Sequence, residues 1–248
     1  MFNALGLVTT LSFPSSNATT LRSSEFLEWL LGGALHLKLV PAVYSILLDE
    51  GIQISAELDE KCKAHRMSCL MNGLLLKAEN DKLVNSFSAG RVDVLPLKGP
   101  VLAERLYGGL ERRPFGDLDL LIRPEQTDQA CRILSASGYE DVTRHRKLFH
   151  YEFDRVLGSS RRIHVELHRR LIGYAFGDDH LAFGLAGSSG LSEWIWTRAV
   201  KTGDFWEMRA GDEFFYLCLH LAKHLIDERR LSAFGHPCSS LLLALDLH

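Results

Sequence analysis

Asp117 and Asp119 stand two positions apart at the head of an apolar run, Phe115-Gly116-Asp117-Leu118-Asp119-Leu120-Leu121-Ile122. That density of apolar residues predicts a buried strand. Side chains in a strand alternate between faces, so the two acids point the same way, about 7 Å apart, while Leu118 and Leu120 turn toward a core. Like charges held side by side repel unless a cation lies between them. A hard divalent ion such as Mg²⁺ (or Mn²⁺), which takes one or two carboxylates and completes its shell with phosphate oxygens, suits the pair. An edge strand with two solvated acids has the same pattern, so the neighbouring residues must decide.

A second group lies in Arg162-Ile163-His164-Val165-Glu166-Leu167-His168. Alternation puts Ile163, Val165 and Leu167 on one face and His164, Glu166 and His168 on the other. A zinc site is one reading, but the spacing is not the helical H-E-x-x-H arrangement. Glu166 serves better as a third carboxylate facing Asp117 and Asp119 from a neighbouring strand, with His164 and His168 as hydrogen-bonding residues around it. A third group is Lys98-Gly99-Pro100, after the short strand predicted over 92–97. A glycine turn that opens a helix offers free backbone N–H groups to a phosphate, and Lys98 adds a positive charge there. Pro100 fits the first helical turn, where its missing N–H costs nothing. A plain turn has the same composition. The loop after Gly108-Gly109 carries Glu111, Arg112 and Arg113.

The elements that must position these residues follow from periodicity. Residues 24–50 read as helix, with Ser24 as cap and Gly32-Gly33 and Pro41 dividing it. A second helical run covers 55–87, with a bend expected near Asn72-Gly73. After the Asp117 strand, Arg123-Pro124 breaks the chain, and 125–137 is an amphipathic helix with Gly138 as its C-cap. Strands are expected over 149–155 and 161–168, joined as a hairpin through Gly158-Ser159-Ser160. Helices at 192–200 and 212–226 flank a strand at 205–208, and His220 and His224 share one helix face.

The 248 residues suffice for a sizeable core, and the charged and apolar fractions are those of a globular protein. A formal net charge of −3 gives no general attraction to nucleic acid. Binding of RNA would need a local basic face, for which Arg144-His145-Arg146-Lys147 with Arg155, Arg161 and Arg162 are candidates. Cys62, Cys69, Cys131, Cys218 and Cys238 are odd in number and form no C-x-x-C pair, which predicts free thiols in a reducing cytoplasm. Met1 to Leu11 carries no basic residue, unlike a signal peptide, and no uninterrupted apolar stretch is long enough to span a membrane. The expected organisation is a flexible start (1–23), a helical region (24–90), an αβ core (91–175) and a mainly helical end (176–248).

Leu97-Lys98-Gly99, Arg113-x-x-Gly116-Asp117-x-Asp119-x-Leu121, Gly138-Tyr139 and Val165-Glu166-Leu167-His168 together resemble an uncharacterised bacterial nucleotidyltransferase family. That family belongs to the DNA polymerase β-like nucleotidyltransferase superfamily. The resemblance covers roughly residues 24–226 and extends more loosely to the His220-containing helix. It implies an α+β fold, with a small mixed β-sheet core carrying helices on one side and helical regions at both ends. It implies transfer of a nucleotidyl group from an NTP to an acceptor (a small molecule, a protein side chain or an RNA end) with release of pyrophosphate. On this resemblance Asp117, Asp119 and Glu166 hold two metal ions. Lys98 and Gly99 cradle the triphosphate, and Arg112 or Arg113 neutralises the pyrophosphate. His164, His168, His220 and His224 form the surrounding shell. Other superfamily members open the helix with Gly-Ser or Gly-Gly, where this chain has Lys98-Gly99. A nucleotide-sensing or scaffold protein that keeps the fold without turnover is a second reading. A zinc hydrolase built on His164 and His168 is a third.

Overall fold

The computed structural model describes residues 24–36, 39–143, 150–158, 160–171 and 187–230. The expected flexible start, the basic run Arg144-His145-Arg146-Lys147 and the apolar end after Arg230 lie outside them. The strands are β1 (Val94–Pro96), β2 (Asp117–Ile122), β3 (Glu140–Asp141), β4 (His150–Leu157) and β5 (Arg161–His168). They form one mixed sheet in the order β1-β2-β5-β4-β3. The β2–β5 pair is parallel, and its neighbours are antiparallel.

Alternation along the three central strands separates two faces. Leu118, Leu120 and Ile122 of β2, Ile163, Val165 and Leu167 of β5 and Phe153 of β4 are sealed on one face. They pack against Leu83, Val84 and Phe87 of the helix α3 (Ala56–Ala89) and Ala130 and Leu134 of α5 (Thr127–Ala136). Full burial of each such side chain stabilises by about 1.5–3 kcal/mol. Part of the opposite face is closed by a second cluster around Leu121. It includes Leu102 of α4 (Gly99–Tyr107), Ile195 of α6 (Gly187–Arg198) and Leu217 of α7 (Ala210–Arg230). The α+β class and the mixed sheet agree with the sequence reading.

Helices α1 (Ser24–His36) and α2 (Val40–Asp49) enclose a third cluster with the start of α3, through Leu27, Leu31, Tyr44 and Cys62. Ser55 caps α3, its hydroxyl accepting from the Leu58 N–H. Several local expectations are corrected. Gly32 and Gly33 lie inside α1, because Leu27, Leu31 and Ala34 bury one face and carry the helix through them; the expected division into two helices falls instead at Pro41, in the first turn of α2. Helix α3 is continuous through Gly73, where glycine has a different use. A Cβ there would approach Leu110 Cβ to 2.9 Å, so the glycine admits the loop that leads to β2. Helix α6 ends at Arg198, and Val200–Thr202 is a strand, β6, pairing antiparallel with β7 (Phe205–Glu207). Among the described residues no helix is long and apolar enough to cross a membrane.

Candidate active site

The register of the central strands builds the site. Parallel pairing sets Asp117 beside His164 and Asp119 beside Glu166. Antiparallel pairing sets Asp154 beside His164, Glu152 beside Glu166 and His150 beside His168. Directly paired residues project to the same side of a sheet. The face opposite the apolar core therefore has three cross-strand rows: Asp117–His164–Asp154, Asp119–Glu166–Glu152 and Leu121–His168–His150. Eight of these nine side chains are titratable.

Asp119 is 6% exposed and lies at the centre of the polar contacts. Its Oδ2 accepts from Lys98 Nζ at 3.0 Å, and its Oδ1 lies 3.1 Å from His168 Nε2. The same imidazole nitrogen is 3.3 Å from Glu166 Oε2. His168 Nε2 thus stands between two carboxylates. Lys98 is the residue before α4, at the end of the β1 segment that pairs with β2, and Leu97 N–H donates to Asp119 C=O. Its ammonium also donates to His220 Nε2 of α7 at 3.0 Å. Gly99 takes φ +64°, a conformation that favours glycine, and sits against the Asp117 carbonyl at the start of β2.

These contacts divide the acids electrostatically. Burial raises the Asp117 carboxyl, and the adjacent Asp119 charge raises it further, to about 6. Burial opposes ionisation of Asp119 too, but the Lys98 charge and the His168 hydrogen bond outweigh it and hold that carboxyl well below its ordinary value. Glu166 is likewise held low by its His168 hydrogen bond against the cost of burial. Burial lowers His168, yet hydrogen bonds to Asp119 and Glu166 leave it raised.

The other residues singled out from sequence are placed as follows. His164 Nδ1 contacts Asp154 Oδ1 at 2.7 Å, so it serves the outer row. Arg112 grips Asp49 of α2 through two nitrogens, at 2.6 and 3.2 Å, which ties the loop to the N-terminal helices. Arg113 is buried, at 3% exposure. The His224 side chain lies outside the described residues. Of the basic face, Arg155 pairs with Glu79, Arg162 with Asp154, and Arg161 donates to Asn72, so each has a partner on the fold.

Sequence reasoning missed the contribution of β4. The β4–β5 hairpin is as expected, but the alternation of His150, Glu152 and Asp154 with Tyr151 and Phe153 does not by itself give the register that sets them beside His168, Glu166 and His164. Sequence reasoning also missed Tyr216 of α7, whose ring centroid is 5.7 Å from that of His220. Its buried hydroxyl has no hydrogen-bond partner among the described residues, and burial raises its pKa.

A family model described as "Uncharacterised nucleotidyltransferase" matches residues 26–235. The match spans most of the chain, and the protein belongs to that family. Membership makes it a transferase whose general chemistry is the movement of a nucleotidyl group. No curated protein matches the chain.

Proposed function

We propose that the protein is an Mg²⁺- or Mn²⁺-dependent nucleotidyltransferase that moves an NMP from an NTP to an acceptor hydroxyl and releases pyrophosphate. The observation that carries this reading is the parallel register joining Asp119 to Glu166, with Asp117 two positions earlier on the same face. The oxygen donors fit a hard divalent ion, and contacts to Lys98 and His168 hold two of them, Asp119 and Glu166, in place. Asp117, Asp119 and Glu166 would hold the metal ions. Bound there, such ions stabilise charge on the attacking and departing oxygens of an in-line displacement.

The chain's own residues have separable tasks. Glu166, ionised and half-buried, is the acceptor's proton acceptor as the new oxygen–phosphorus bond forms. The bond from the α-phosphorus to the bridging oxygen breaks, and pyrophosphate leaves with the electron pair. The first turn of α4, opened by Gly99, offers N–H groups to the triphosphate. Lys98 supplies the adjacent positive charge and is shared with Asp119 until phosphate binds. Arg112, committed to Asp49, holds the loop to the N-terminal helices. His168 orients Asp119 and Glu166 by bonding both. The acceptor is a small molecule, a protein side chain or an RNA end.

The test is transfer of label from each α-³²P NTP with Mg²⁺ or Mn²⁺ and cell lysate as acceptor source, beside the Asp117→Asn/Asp119→Asn variant. Label moved by the wild type alone supports the reaction, and the mobility of the product gives the acceptor class. The Lys98–Asp119 pair favours one alternative, a nucleotide-sensing or scaffold protein, because it neutralises a candidate metal ligand from within the chain. Metal-dependent NTP binding without transfer would establish that alternative.

A further inference from the structure

The third row of the polar face differs in chemistry from the rows beside it. His150 and His168 are directly opposed across the β4–β5 pair, and Glu166 follows in the next row. One ligand atom from each of these three residues lies within 4.8 Å of the others. The histidine ring centroids are 5.3 Å apart with the planes tilted by 44°, and both residues are buried. Glu152 Oε1 lies 3.3 Å from His150 Nε2, the outer carboxylate that commonly orients a metal-binding imidazole. Glu152 also stands directly opposite Glu166. Two like charges so placed are destabilising unless positive charge lies nearby.

We propose that His150, Glu166 and His168 form a site for a first-row transition ion of the Zn²⁺ or Co²⁺ class, distinct in ligand chemistry from the Asp117/Asp119 position and joined to it by Glu166. Two imidazoles and one carboxylate suit such an ion, whereas Mg²⁺ strongly prefers oxygen ligands. In a tetrahedral site with bonds of about 2.0–2.1 Å, ligand atoms lie about 3.4 Å apart. The present spacing therefore requires a contraction within reach of side-chain rotation. His168 Nε2 lies within hydrogen-bond distance of both Asp119 and Glu166. An ion on His168 and Glu166 replaces those hydrogen bonds with coordination. The fourth position is open to water, Asp119 or an acceptor oxygen. The inference does not depend on nucleotidyl transfer, since metal binding alone reads it out.

The test uses the full, tag-free chain, stripped with chelator and titrated with Co²⁺ in excess Mg²⁺. Visible absorption and equilibrium dialysis are the readouts. The expected result is one equivalent of Co²⁺ with the intense bands of tetrahedral imidazole ligation, displaced by Zn²⁺. His150→Gln should weaken binding at least about tenfold. Asp117→Asn should leave the spectrum in place. Glu152→Gln, a milder change in case His150→Gln does not fold, should weaken Co²⁺ several-fold. Displacement of Co²⁺ by Mg²⁺, the weak bands of an all-oxygen site, or unchanged affinity in folded His150→Gln would each overturn the proposal. The two proposals separate cleanly: transfer activity with no imidazole-bound Co²⁺ defeats only the transition-ion site, and the converse defeats only the transferase reading.

Discussion

The two faces of the central strands are built from the same backbone and obey opposite rules. Toward α3 and α5, Leu120, Ile163, Val165 and Leu167 are fully buried and apolar. On the other side, eight titratable residues occupy nine adjacent positions, and their contacts are ion pairs and charged hydrogen bonds. The apolar face gains stability from every residue it buries. The polar face contains charges whose burial is costly unless each is paired. Apolar packing and titratable groups are thereby assigned to alternate residues of one sheet.

Substitutions can break that division at several strengths. The largest effect is expected from Asp119→Asn, which removes a proposed metal ligand. Transfer of labelled nucleotide should fall on the order of 10³-fold, corresponding to several kcal/mol of lost transition-state stabilisation. Phe153→Ala, between Glu152 and Asp154 but pointing to the other face, should do the reverse. It should destabilise by about 3–5 kcal/mol in urea unfolding while the folded fraction keeps its transfer rate. Equal loss of activity in the two variants would erase the distinction between the faces.

Lys98→Met sharpens the electrostatic side. With the ammonium gone from Asp119, Mg²⁺ should bind about tenfold more tightly by calorimetry, one pK unit's worth of relieved competition. Transfer should fall, because the triphosphate loses its cation. A pH series tests Asp117. Its folded pKa of about 6 lies above the ordinary 3.8, so in the metal-free protein it contributes stability below pH 3.8 that is lost as pH rises through 6. A divalent ion needs the ionised form. The rise in Tm caused by Mg²⁺ should therefore be full above about pH 7 and shrink as pH falls below 6; a constant rise from pH 5 to 8 would contradict it. The smallest effect is expected from Arg112→Ala. Its partly exposed pair with Asp49 is worth less than about 1 kcal/mol, and transfer should stay within a few-fold of wild type.

How much of this was legible in sequence depended on distance along the chain. Asp117 and Asp119 declared themselves because two-residue periodicity is local, and Glu166 because its strand alternates cleanly. The His150, Glu152 and Asp154 row alternates too, but only the β4–β5 register shows that it continues the same face. Lys98 was recognised as a nearby positive charge. Its bond to His220, 122 positions later, rests on the docking of α7, which no local pattern encodes. Gly32 and Gly33 misled for a related reason: propensity argued for a break, and tertiary burial of Leu27, Leu31 and Ala34 prevailed.

The parallel pairing of β2 with β5 also bears on how the protein folds. Parallel neighbours cannot be joined by a tight turn, so Asp119 and Glu166 meet only after the intervening chain has closed a long loop. The loop from Lys98 to Asp119 is shorter and closes at lower entropic cost. Such non-local contacts slow folding relative to helical hairpins. Were contacts to form in order of closure cost, the ammonium would reach Asp119 before the third carboxylate arrives, and the acids would come together with a neutralising charge already beside them.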